Sequence, residues 1–470
     1  MENELEKSII KPIKKHRKVI KRILISIFVF LVLYFGMSIY FMNHFYFGSA
    51  INSISVSGKV VEDANKKMAT EIKTYKITIK ERGGKTEQIS GDEVGLEYDS
   101  DGEFKEFKES QNPYKWISSV FNTKDSKMIE GIKYDTELLK KSVDNLSCFD
   151  NKNIIEPKNA SYKYTNKGYV IVDEVIGNKG NKENLYNKVI DAVGKGETTI
   201  DLESINYYVK PQYTSKSQKT LETKEILNKY VASKITYTFG KEKELLEAST
   251  INKWLRVDAN SNVTFDEKEV GNYINVLSNK YNTVGNSRNF VRTSGKIINI
   301  AVGDYGWYIN KSMETQDLIA NIKEGKSISK EPKYSQTALF HGSNDMGNTY
   351  VELDMSAQHL WFYKNGAIVT HGDVVTGKLN SEGTATPAGI YKLKYKEKDA
   401  ILKGKNYASP VTYWMPFNGN VGIHDASWRN TFGGNIYKKG GSHGCVNSPF
   451  ELAKAVFENI NVGTPVVCYY

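Results

Sequence analysis

Residues 440–449, GGSHGCVNSP, hold one of only three cysteines in a chain of 470 residues. Cys445 follows His443 by two positions, and Gly444 between them leaves the sulfur without a bulky neighbour. A cysteine in this setting can fill a core, form a disulfide, bind a metal or act as a nucleophile. The residues around this stretch distinguish the four possibilities, and with them the fold of the last quarter of the chain.

Metal binding and a disulfide both leave the stretch unexplained. His424, His443 and Cys445 offer three ligands and no fourth is apparent, whereas a structural zinc site takes four ligands, usually with closely paired spacings. A disulfide from Cys445 gives no reason for the flanking glycine or for the two histidines. Both hypotheses are therefore disfavoured.

A nucleophile accounts for more of the pattern. An imidazole within reach of a thiol accepts its proton and stabilises the thiolate. Gly444 removes a side chain beside the sulfur, so that a substrate backbone can approach. The N–H groups around Gly444 and Cys445 are candidates for an oxyanion hole, which an acyl-transfer intermediate needs.

At this point the sequence resembles a known family. His424, a spacer of 17 residues and SHGCVN at 442–447 are similar to the signature of the L,D-transpeptidase catalytic domain of the YkuD type. Thr376-Gly377, TPAG at 386–389 and VELDMSAQHLWFYKNG from Val351 onward are supporting features of that family. The resemblance covers about residues 348–470 and implies a mainly-β catalytic domain there.

The resemblance also implies the catalytic roles. Cys445 is the expected nucleophile and His424 the general base and acid. The backbone carbonyl of Asp425 is expected to orient His424, and His443 to line and support the site. Gly444 belongs to the same loop, and no metal or organic cofactor is implied.

Four further residues are expected to hold the loop or the substrate. Ser442 and Asn447 are expected to hold the loop by hydrogen bonds. Arg429 stands where a substrate carboxylate can be bound in a bidentate manner, although a solvated loop arginine fits equally well. Trp428, like Trp414, is either a wall of the cleft or a core residue.

The activity implied by the resemblance is peptidoglycan L,D-transpeptidation. Cys445 attacks a donor tetrapeptide stem, D-Ala leaves, a thioester forms, and the amine of a neighbouring stem completes a 3→3 crosslink. The same chemistry predicts covalent inactivation by carbapenems. The alternatives are an L,D-carboxypeptidase, a D-amino-acid exchange enzyme or a non-catalytic cell-wall-binding protein. A papain-like protease is disfavoured, because there the cysteine precedes the histidine by a long interval.

The N-terminus predicts a membrane anchor. Residues 1–22 carry eight Lys and Arg against three Glu, and residues 23–42 carry no charge. Twenty helical residues span about 30 Å, enough to cross a bilayer. The basic tail predicts a cytoplasmic N-terminus, hence a single-pass type II protein of the cell membrane with its catalytic domain outside, in the cell wall. A signal peptide cleaved near GSA, 48–50, is the alternative.

The rest of the charge is spread thinly. The formal net charge is +10, and the tail accounts for +5 of it. The outer part therefore carries about +5 over some 430 residues, with no basic cluster to bind nucleic acid. Cys148 and Cys468 stand among apolar residues, which predicts inert buried thiols, although a bridge between them is possible.

Two internal repeats lie between the anchor and the catalytic domain. YDTELLKKSVDNL at 134–146 aligns without gaps to FDEKEVGNYINVL at 265–277, with apolar residues on one helix face and an Asp that can cap the helix. Residues 167–196 and 294–325 each predict a strand, a turn and a helix that ends at glycine. We expect two α+β modules, 50–213 and 214–334. They resemble the peptidoglycan-binding-like modules that accompany this catalytic domain, as spacers or as polymer binders.

The complete prediction is a multidomain protein. It comprises a single N-terminal transmembrane helix, two α+β repeat modules and a C-terminal mainly-β L,D-transpeptidase catalytic domain. In the last domain, alternation of apolar and polar residues places a hairpin turn at KNG and predicts an inner sheet face formed by Val351, Leu353, Leu360, Phe362 and Ile368. TPVVCYY at 464–470 predicts a closing strand.

Overall fold

The computed structural model describes residues 2–51, 54–99, 102–121, 125–126, 132–379, 383–404 and 407–470. The chain forms two compact units, Met1–Ser161 with Val172–Lys216, and Tyr162–Ile171 with Ser217–Tyr470. The first holds the N-terminal helix and the first module apart from the segment Tyr162–Ile171. The second holds the second module and the C-terminal domain, so the chain is a multidomain protein as predicted.

The N-terminal helix α1 runs over Glu2–Asn43. Its part Arg17–Asn43 is the one helix, among the described residues, that is long and apolar enough to cross a membrane. The helix thus begins well before the predicted apolar span at 23–42. The side chains of residues 1–16, which include most of the predicted basic tail, lie outside the described part of the chain.

The first module is built from short helices and strands around one core. Its central sheet has the strand order β10-β3-β4, in which β3 pairs with β4 antiparallel and with β10 parallel. The elements are β1 Ala50–Ile51, β2 Ile54–Ser55, α2 Val61–Thr74, β3 Lys76–Lys80, β4 Thr86–Ser90, β5 Glu97–Tyr98, α3 Glu103–Glu109, α4 Trp116–Ser119, β6 Asp125–Ser126, β7 Ile132–Lys133, α5 Thr136–Asp144, β8 Ser161–Thr165, β9 Gly168–Val172, α6 Lys182–Lys195 and β10 Thr199–Asp201.

The second module repeats this topology. Its sheet has the order β12-β11-β18, again with one antiparallel and one parallel neighbour. The elements are α7 Gln218–Val231, β11 Lys234–Phe239, β12 Glu242–Leu246, α8 Ala248–Trp254, β13 Leu255–Val257, β14 Val263–Phe265, α9 Glu267–Tyr281, β15 Arg288–Val291, β16 Ile297–Ile300, β17 Tyr308–Ile309, α10 Lys311–Glu324, β18 Ser327–Lys330 and β19 Tyr334–Gln336.

The predicted repeat is visible in equivalent helices of the two modules. Asp135 caps α5 by accepting from the N–H groups of Glu137 and Leu138, and Asp266 caps α9 through the N–H of Glu269. The predicted apolar faces are buried in both helices: Leu139, Val143 and Leu146 in the first module, and Val270, Ile274 and Leu277 in the second.

One hairpin of the predicted first module, 50–213, joins the second compact unit. The hairpin of β8 and β9 precedes the predicted boundary at 213/214 in sequence, yet Tyr162–Ile171 belongs to the second unit. The cause is local: the N–H of Tyr169 donates to Oδ1 of Asn228 at 2.7 Å, and the Tyr169 ring packs into the core that contains Leu227 and Val231. The sequence pattern of a hairpin does not show which core the hairpin will join.

The second module and the C-terminal domain share a core. Phe290, Ile300 and Tyr305 from the module pack with Ile390 and Val467 of the domain. A buried ion pair braces the connection, because Arg288 binds Asp345 through Nε–Oδ1 (2.8 Å) and Nη2–Oδ2 (2.6 Å). Such bidentate pairs combine charge with fixed geometry. The predicted domains 214–334 and 348–470 therefore form one compact unit.

The C-terminal domain consists of two sheets and two helices. A five-stranded sheet has the order β22-β21-β20-β28-β23, and a four-stranded sheet the order β24-β25-β26-β27. The elements are β20 Tyr350–Asp354, β21 His359–Lys364, β22 Ala367–Asp373, β23 Gly389–Lys392, β24 Glu397–Gly404, β25 Tyr407–Asn418, β26 Val421–Asp425, α11 Ile436–Gly440, β27 Val446–Ser448, α12 Phe450–Asn459 and β28 Pro465–Tyr469.

Two details of this domain differ from the sequence prediction. Val351, Leu353, Leu360 and Phe362 are fully buried, but Ile368 is 48% exposed. Ile368 pairs with Tyr363 beside a register shift at Phe362/Tyr363, so it lies on the opposite face of the sheet from Phe362. The last strand, β28, does not close the sheet; it lies inside it, parallel to β20 and antiparallel to β23. Its five residues are accordingly all buried.

Candidate functional site

Three neighbouring strands bring the predicted catalytic residues together. His424 lies on β26, which pairs with β25 on one side and in parallel with β27 on the other, where His424 stands opposite Asn447. Cys445 immediately precedes β27. His424, Trp428, Arg429, Ser442, His443, Cys445 and Asn447 line one cleft of about 250 Å³.

The His424 ring is held in one orientation. Its Nδ1 lies 2.8 Å from the backbone carbonyl oxygen of Asp425. Because a carbonyl oxygen only accepts hydrogen bonds, Nδ1 must carry a proton, and in the neutral ring Nε2 is then the acceptor. Burial lowers the pKa of His424, an effect that the contacts with Asp425 partly offset. The ring is thus a neutral base at neutral pH.

The side chain of Asp425 does a different task. Its Oδ1 accepts the N–H groups of Thr412 (2.9 Å) and Tyr413 (2.7 Å), and the residue is 3% exposed. The carboxylate therefore ties β25 to β26, while the carbonyl of the same residue orients His424. The geometry contains no carboxylate–imidazole contact within this pair.

Cys445 is half-buried in the cleft. Its Sγ lies 3.4 Å from the carbonyl oxygen of Asn420, and the backbone N–H of Gly422 also bonds to the sulfur. Burial raises the pKa of the thiol, and the Gly422 N–H opposes this by favouring the thiolate. Both shifts favour a neutral thiol and a neutral imidazole in the resting site.

The loop before Cys445 is braced by hydroxyl groups. Ser442 Oγ donates to the carbonyl oxygen of Cys445 and accepts the N–H of Gly444 at 3.1 Å. Thr386 Oγ1 donates to the carbonyl oxygen of Gly444 at 2.7 Å and accepts the N–H of Gly377 at 2.9 Å. Gly444 has φ +124°, a backbone conformation that favours glycine. These bonds set the direction of the Cys445 backbone.

A second tier of buried polar groups supports this brace. Gln358 is fully buried, donates to Thr376 Oγ1 at 2.7 Å and accepts the Thr376 N–H at 2.9 Å. Asn447 is 3% exposed and exchanges two backbone hydrogen bonds with Val375, both 2.9 Å. The TG and TPAG motifs are thus packed directly behind the cysteine loop.

The walls of the cleft contain one tryptophan, Trp428, and one arginine, Arg429. Trp428 is 50% exposed with its ring centre 5.8 Å from that of His424, whereas Trp414 is 6% exposed and its indole donates to Tyr395 Oη at 3.3 Å. Trp414 therefore belongs to the core, and Trp428 faces the cleft. Arg429 Nη2 donates to the Gly440 carbonyl oxygen at 2.9 Å, while its buried Nε has no hydrogen-bond partner in the described structure.

Comparison with known families and structures agrees with this site. Residues 348–468 match the L,D-transpeptidase catalytic domain (YkuD), and residues 87–201 and 214–329 each match a peptidoglycan binding domain. A crystal structure of Enterococcus faecium L,D-transpeptidase is 35% identical over 54% of this chain and 100% of that chain, with a TM-score of 0.43. The chain belongs to the L,D-transpeptidase family.

Two further solved structures are similar to this L,D-transpeptidase. The NMR structure of the catalytic domain of the E. faecium L,D-transpeptidase acylated by ertapenem is 44% identical, covering 26% of this chain and 98% of that chain, with a TM-score of 0.25. The Ldtfm–avibactam carbamoyl enzyme is 35% identical, covering 53% and 98%, with a TM-score of 0.43. A search of the curated proteins found no match.

The structure of this transpeptidase adds residues that the sequence pattern did not indicate. Leu402 and Ser409 line the cleft from the hairpin of β24 and β25, and Asn420 supplies the carbonyl that contacts the thiol. No local motif marks these positions, because a strand pairing brings them to the cleft. Thr386 and Thr376 were marked by the TPAG and TG motifs, although their contacts were not predicted.

The remaining histidines and cysteines lie elsewhere. His359 contacts Asp373 at 2.6 Å and His371 at 3.0 Å on β21 and β22, outside the cleft-lining residues. Cys148 and Cys468 are buried free thiols, so the possible bridge between them is not formed. Within the described ranges no group of three or more His, Cys, Asp or Glu side chains is placed to hold a metal ion.

Proposed function

We propose that this protein is an L,D-transpeptidase that forms 3→3 peptidoglycan crosslinks through an acyl-enzyme on Cys445. The observation that carries the proposal is the fixed ring of His424. Because Nδ1–H is bonded to the Asp425 carbonyl, Nε2 is an acceptor in the same cleft as the half-buried Cys445 thiol. Arranging a base and a nucleophile in this way is what thiol acyl transfer requires.

In the first half-reaction Cys445 Sγ attacks the carbonyl carbon of the third residue of a donor tetrapeptide stem. The thiol proton passes to His424 Nε2. The oxyanion of the tetrahedral intermediate requires N–H donors. Of the two amides expected to serve, that of Gly444 is occupied by Ser442 Oγ, which leaves the Cys445 N–H. The C–N bond then breaks, His424 returns the proton to the departing D-Ala amine, and a thioester remains.

In the second half-reaction the side-chain amine of a neighbouring stem attacks the thioester. His424 takes a proton from this amine and returns one to the Cys445 thiolate as the C–S bond breaks. Asp425 positions His424 through its carbonyl, and Ser442 and Asn447 hold the loop. His443 and Trp428 contact the stem, and the Arg429 guanidinium, which lines the cleft, binds a stem carboxylate. A carbapenem that acylates Cys445 forms an adduct by the same first step.

The N-terminal helix is proposed to anchor the chain in the cell membrane, with the bulk of the chain in the cell wall. Side chains from Ile23 to Met42 are apolar and largely exposed, which suits lipid and not water. Basic residues precede this stretch, which supports a cytoplasmic N-terminus. The two peptidoglycan binding domains are proposed to hold the wall polymer near the catalytic domain.

Mass spectrometry of products tests the activity. The chain is incubated with purified disaccharide-tetrapeptide, beside a Cys445→Ala variant. Dimers that lack one D-Ala, absent with the variant, are expected. Tripeptide alone would instead establish an L,D-carboxypeptidase, and an exchanged terminal residue a D-amino-acid exchange enzyme. No product from the wild type would leave a wall-binding role.

A further inference from the structure

The segment 113–121, PYKWISSVF, lies against the C-terminal half of α1. Tyr34 Oη donates to the carbonyl oxygen of Tyr114 at 2.8 Å, and the Trp116 indole donates to the carbonyl oxygen of Tyr34 at 3.3 Å. The Trp116 ring also packs on the rings of Tyr34 and Phe41, with centre distances of 6.2 and 6.0 Å. The segment is thus tied to α1 by several bonds.

The contact falls within the apolar stretch of the helix. Tyr34 precedes Met42, the last residue of that stretch, by eight positions, which is about 12 Å along a helix axis. One helix face is covered there: Ser38 is 1% and Phe41 0% exposed, whereas Phe35 and Ile39 on other faces are 51% and 64% exposed. A helix that crosses a bilayer at this stretch carries the segment into the outer leaflet with it.

The surface that the segment turns away from α1 is apolar. Tyr114, Ile117, Val120 and Phe121 are 52%, 38%, 57% and 81% exposed. A cluster of exposed large apolar side chains is unfavourable in water and indicates an interaction surface. It continues the exposed apolar surface of α1, so the partner that covers the helix also covers the segment.

Several polar groups of the segment are bonded within it, which lowers the cost of burial in lipid. The turns Pro113–Lys115 and Trp116–Ser119 are helical, and Ser118 Oγ and Ser119 Oγ donate to the carbonyl oxygens of Lys115 and Trp116, both at 2.6 Å. Lys115 is the one charged residue of the segment, and it lines a cavity with Gln111 and Asn112 on the polar side.

We propose that residues 113–121 insert into the outer leaflet of the membrane that α1 spans, as a second lipid contact of the first module. The proposal rests on the proposed anchoring by α1. Two lipid contacts fix the orientation of the module relative to the membrane surface, whereas attachment through α1 alone would leave the module free to tilt. Its occupant is lipid acyl chain, because the segment continues a lipid-facing helix surface and its exposed side chains are mainly apolar.

Depth-dependent fluorescence quenching tests this insertion in the full chain. A Phe121→Trp variant and, as a matched control, an Ile155→Trp variant are reconstituted in phosphatidylcholine–phosphatidylglycerol liposomes with and without brominated acyl chains. Ile155 is 57% exposed but lies in a loop bonded to Asn178. Subtracting the wild-type signal cancels the six native tryptophans. A Trp116→Phe variant removes the native tryptophan of the segment, so its difference from the wild type gives the quenching of Trp116 itself.

Bromination is expected to remove at least half of the fluorescence that Phe121→Trp adds, and little of what Ile155→Trp adds. It should also quench the wild type more than Trp116→Phe. Equal quenching of the two added signals in protein that floats with the liposomes would overturn the insertion and leave the anchor intact. Unquenched signal with crosslinkable dimers would assign the surface to a second copy. Failure of the wild type to float would overturn both proposals.

Discussion

Cys445 and Cys468 belong to the same domain but differ in exposure, in neighbouring polar groups and in the causes of their pKa shifts. Cys445 stands in a turn between parallel strands, half-buried in a cleft that also contains His424, with the Gly422 N–H on its sulfur. Cys468 lies in the centre of the five-stranded sheet, is 0% exposed, and its pKa is raised by burial alone. Burial by itself makes a cysteine inert.

What separates the two is the backbone around them. The cysteine loop needs Gly444 at positive φ, two hydroxyl braces and a partner histidine whose ring is fixed by a carbonyl. Strand β28 needs only apolar neighbours. We therefore expect the reactivity of a thiol in this fold to follow from loop geometry, and each substitution below alters one part of that geometry.

The largest expected effect on the rate comes from replacing Cys445 by alanine, with Cys468→Ala as the matched variant. Cys445→Ala should lower the rate of acyl transfer by about 10⁴-fold or more, because the nucleophile is lost, with little change in stability. Cys468→Ala should keep the rate and lower the free energy of unfolding by about 1 kcal/mol, because a buried sulfur is removed. Product formation and denaturant unfolding are measured on both. Acyl transfer by Cys445→Ala would contradict the assignment of Cys445 as the nucleophile.

Removal of the base should have the next largest effect. His424→Gln should lower kcat/KM for the donor stem by about 10²–10⁴-fold, as loss of a general base does. The matched control is His359→Gln, on β21 outside the cleft, which should leave the rate within about twofold of the wild type. Similar losses in both variants would point to a structural cause.

Substitution of Asp425 distinguishes the role of its carbonyl, which orients His424, from that of its carboxylate, which joins β25 to β26. Asp425→Ala removes the acceptor of the Thr412 and Tyr413 N–H groups, so the free energy of unfolding should fall by about 1–3 kcal/mol. The carbonyl that orients His424 remains, so kcat should change much less than in His424→Gln. Asp425→Asn keeps an acceptor and should lose less stability. A kcat loss equal to that of His424→Gln, in folded protein, would show that the carboxylate acts on the ring.

The pH profile should show the smallest effect. The imidazole loses its function as a base when pH falls through its pKa, which lies below the usual value of about 6.5. The thiol ionises only above its usual value of about 8.5, because burial raises its pKa. The rate constant for carbapenem acylation should therefore vary by less than about twofold from pH 7 to 8.5. A rise of nearly tenfold per unit would mean a free thiolate instead.

Local periodicity made part of the fold predictable. The α5 and α9 faces and their Asp caps follow from residues three and four apart, which interact within one helix. The exposure of Ile368 follows from a register shift at Phe362/Tyr363, which the alternation of residues does not show. The transfer of the β8–β9 hairpin to the second unit and the Arg288–Asp345 pair depend on residues far apart in sequence. No local pattern encodes those contacts.

The candidate site divides in the same way. His424, Cys445 and the loop between them were found because they lie within one short stretch with a recognisable spacing. Asn420, Leu402 and Ser409 reach the cleft through strand pairing, and the Thr386–Gly444 bond joins positions 58 residues apart. The sequence pattern thus indicated the groups that we propose to react, and the structure was needed for the groups that surround them.

The selective reactivity of Cys445 is tested most directly by locating the adduct of a carbapenem on the chain. The full chain is incubated with ertapenem at neutral pH, digested, and mapped by mass spectrometry. One adduct per chain, on the peptide that contains Cys445 and none on those with Cys148 or Cys468, is the predicted result. An adduct on another residue, or an unmodified Cys445 in folded protein, would contradict the claim that this loop creates the reactive thiol.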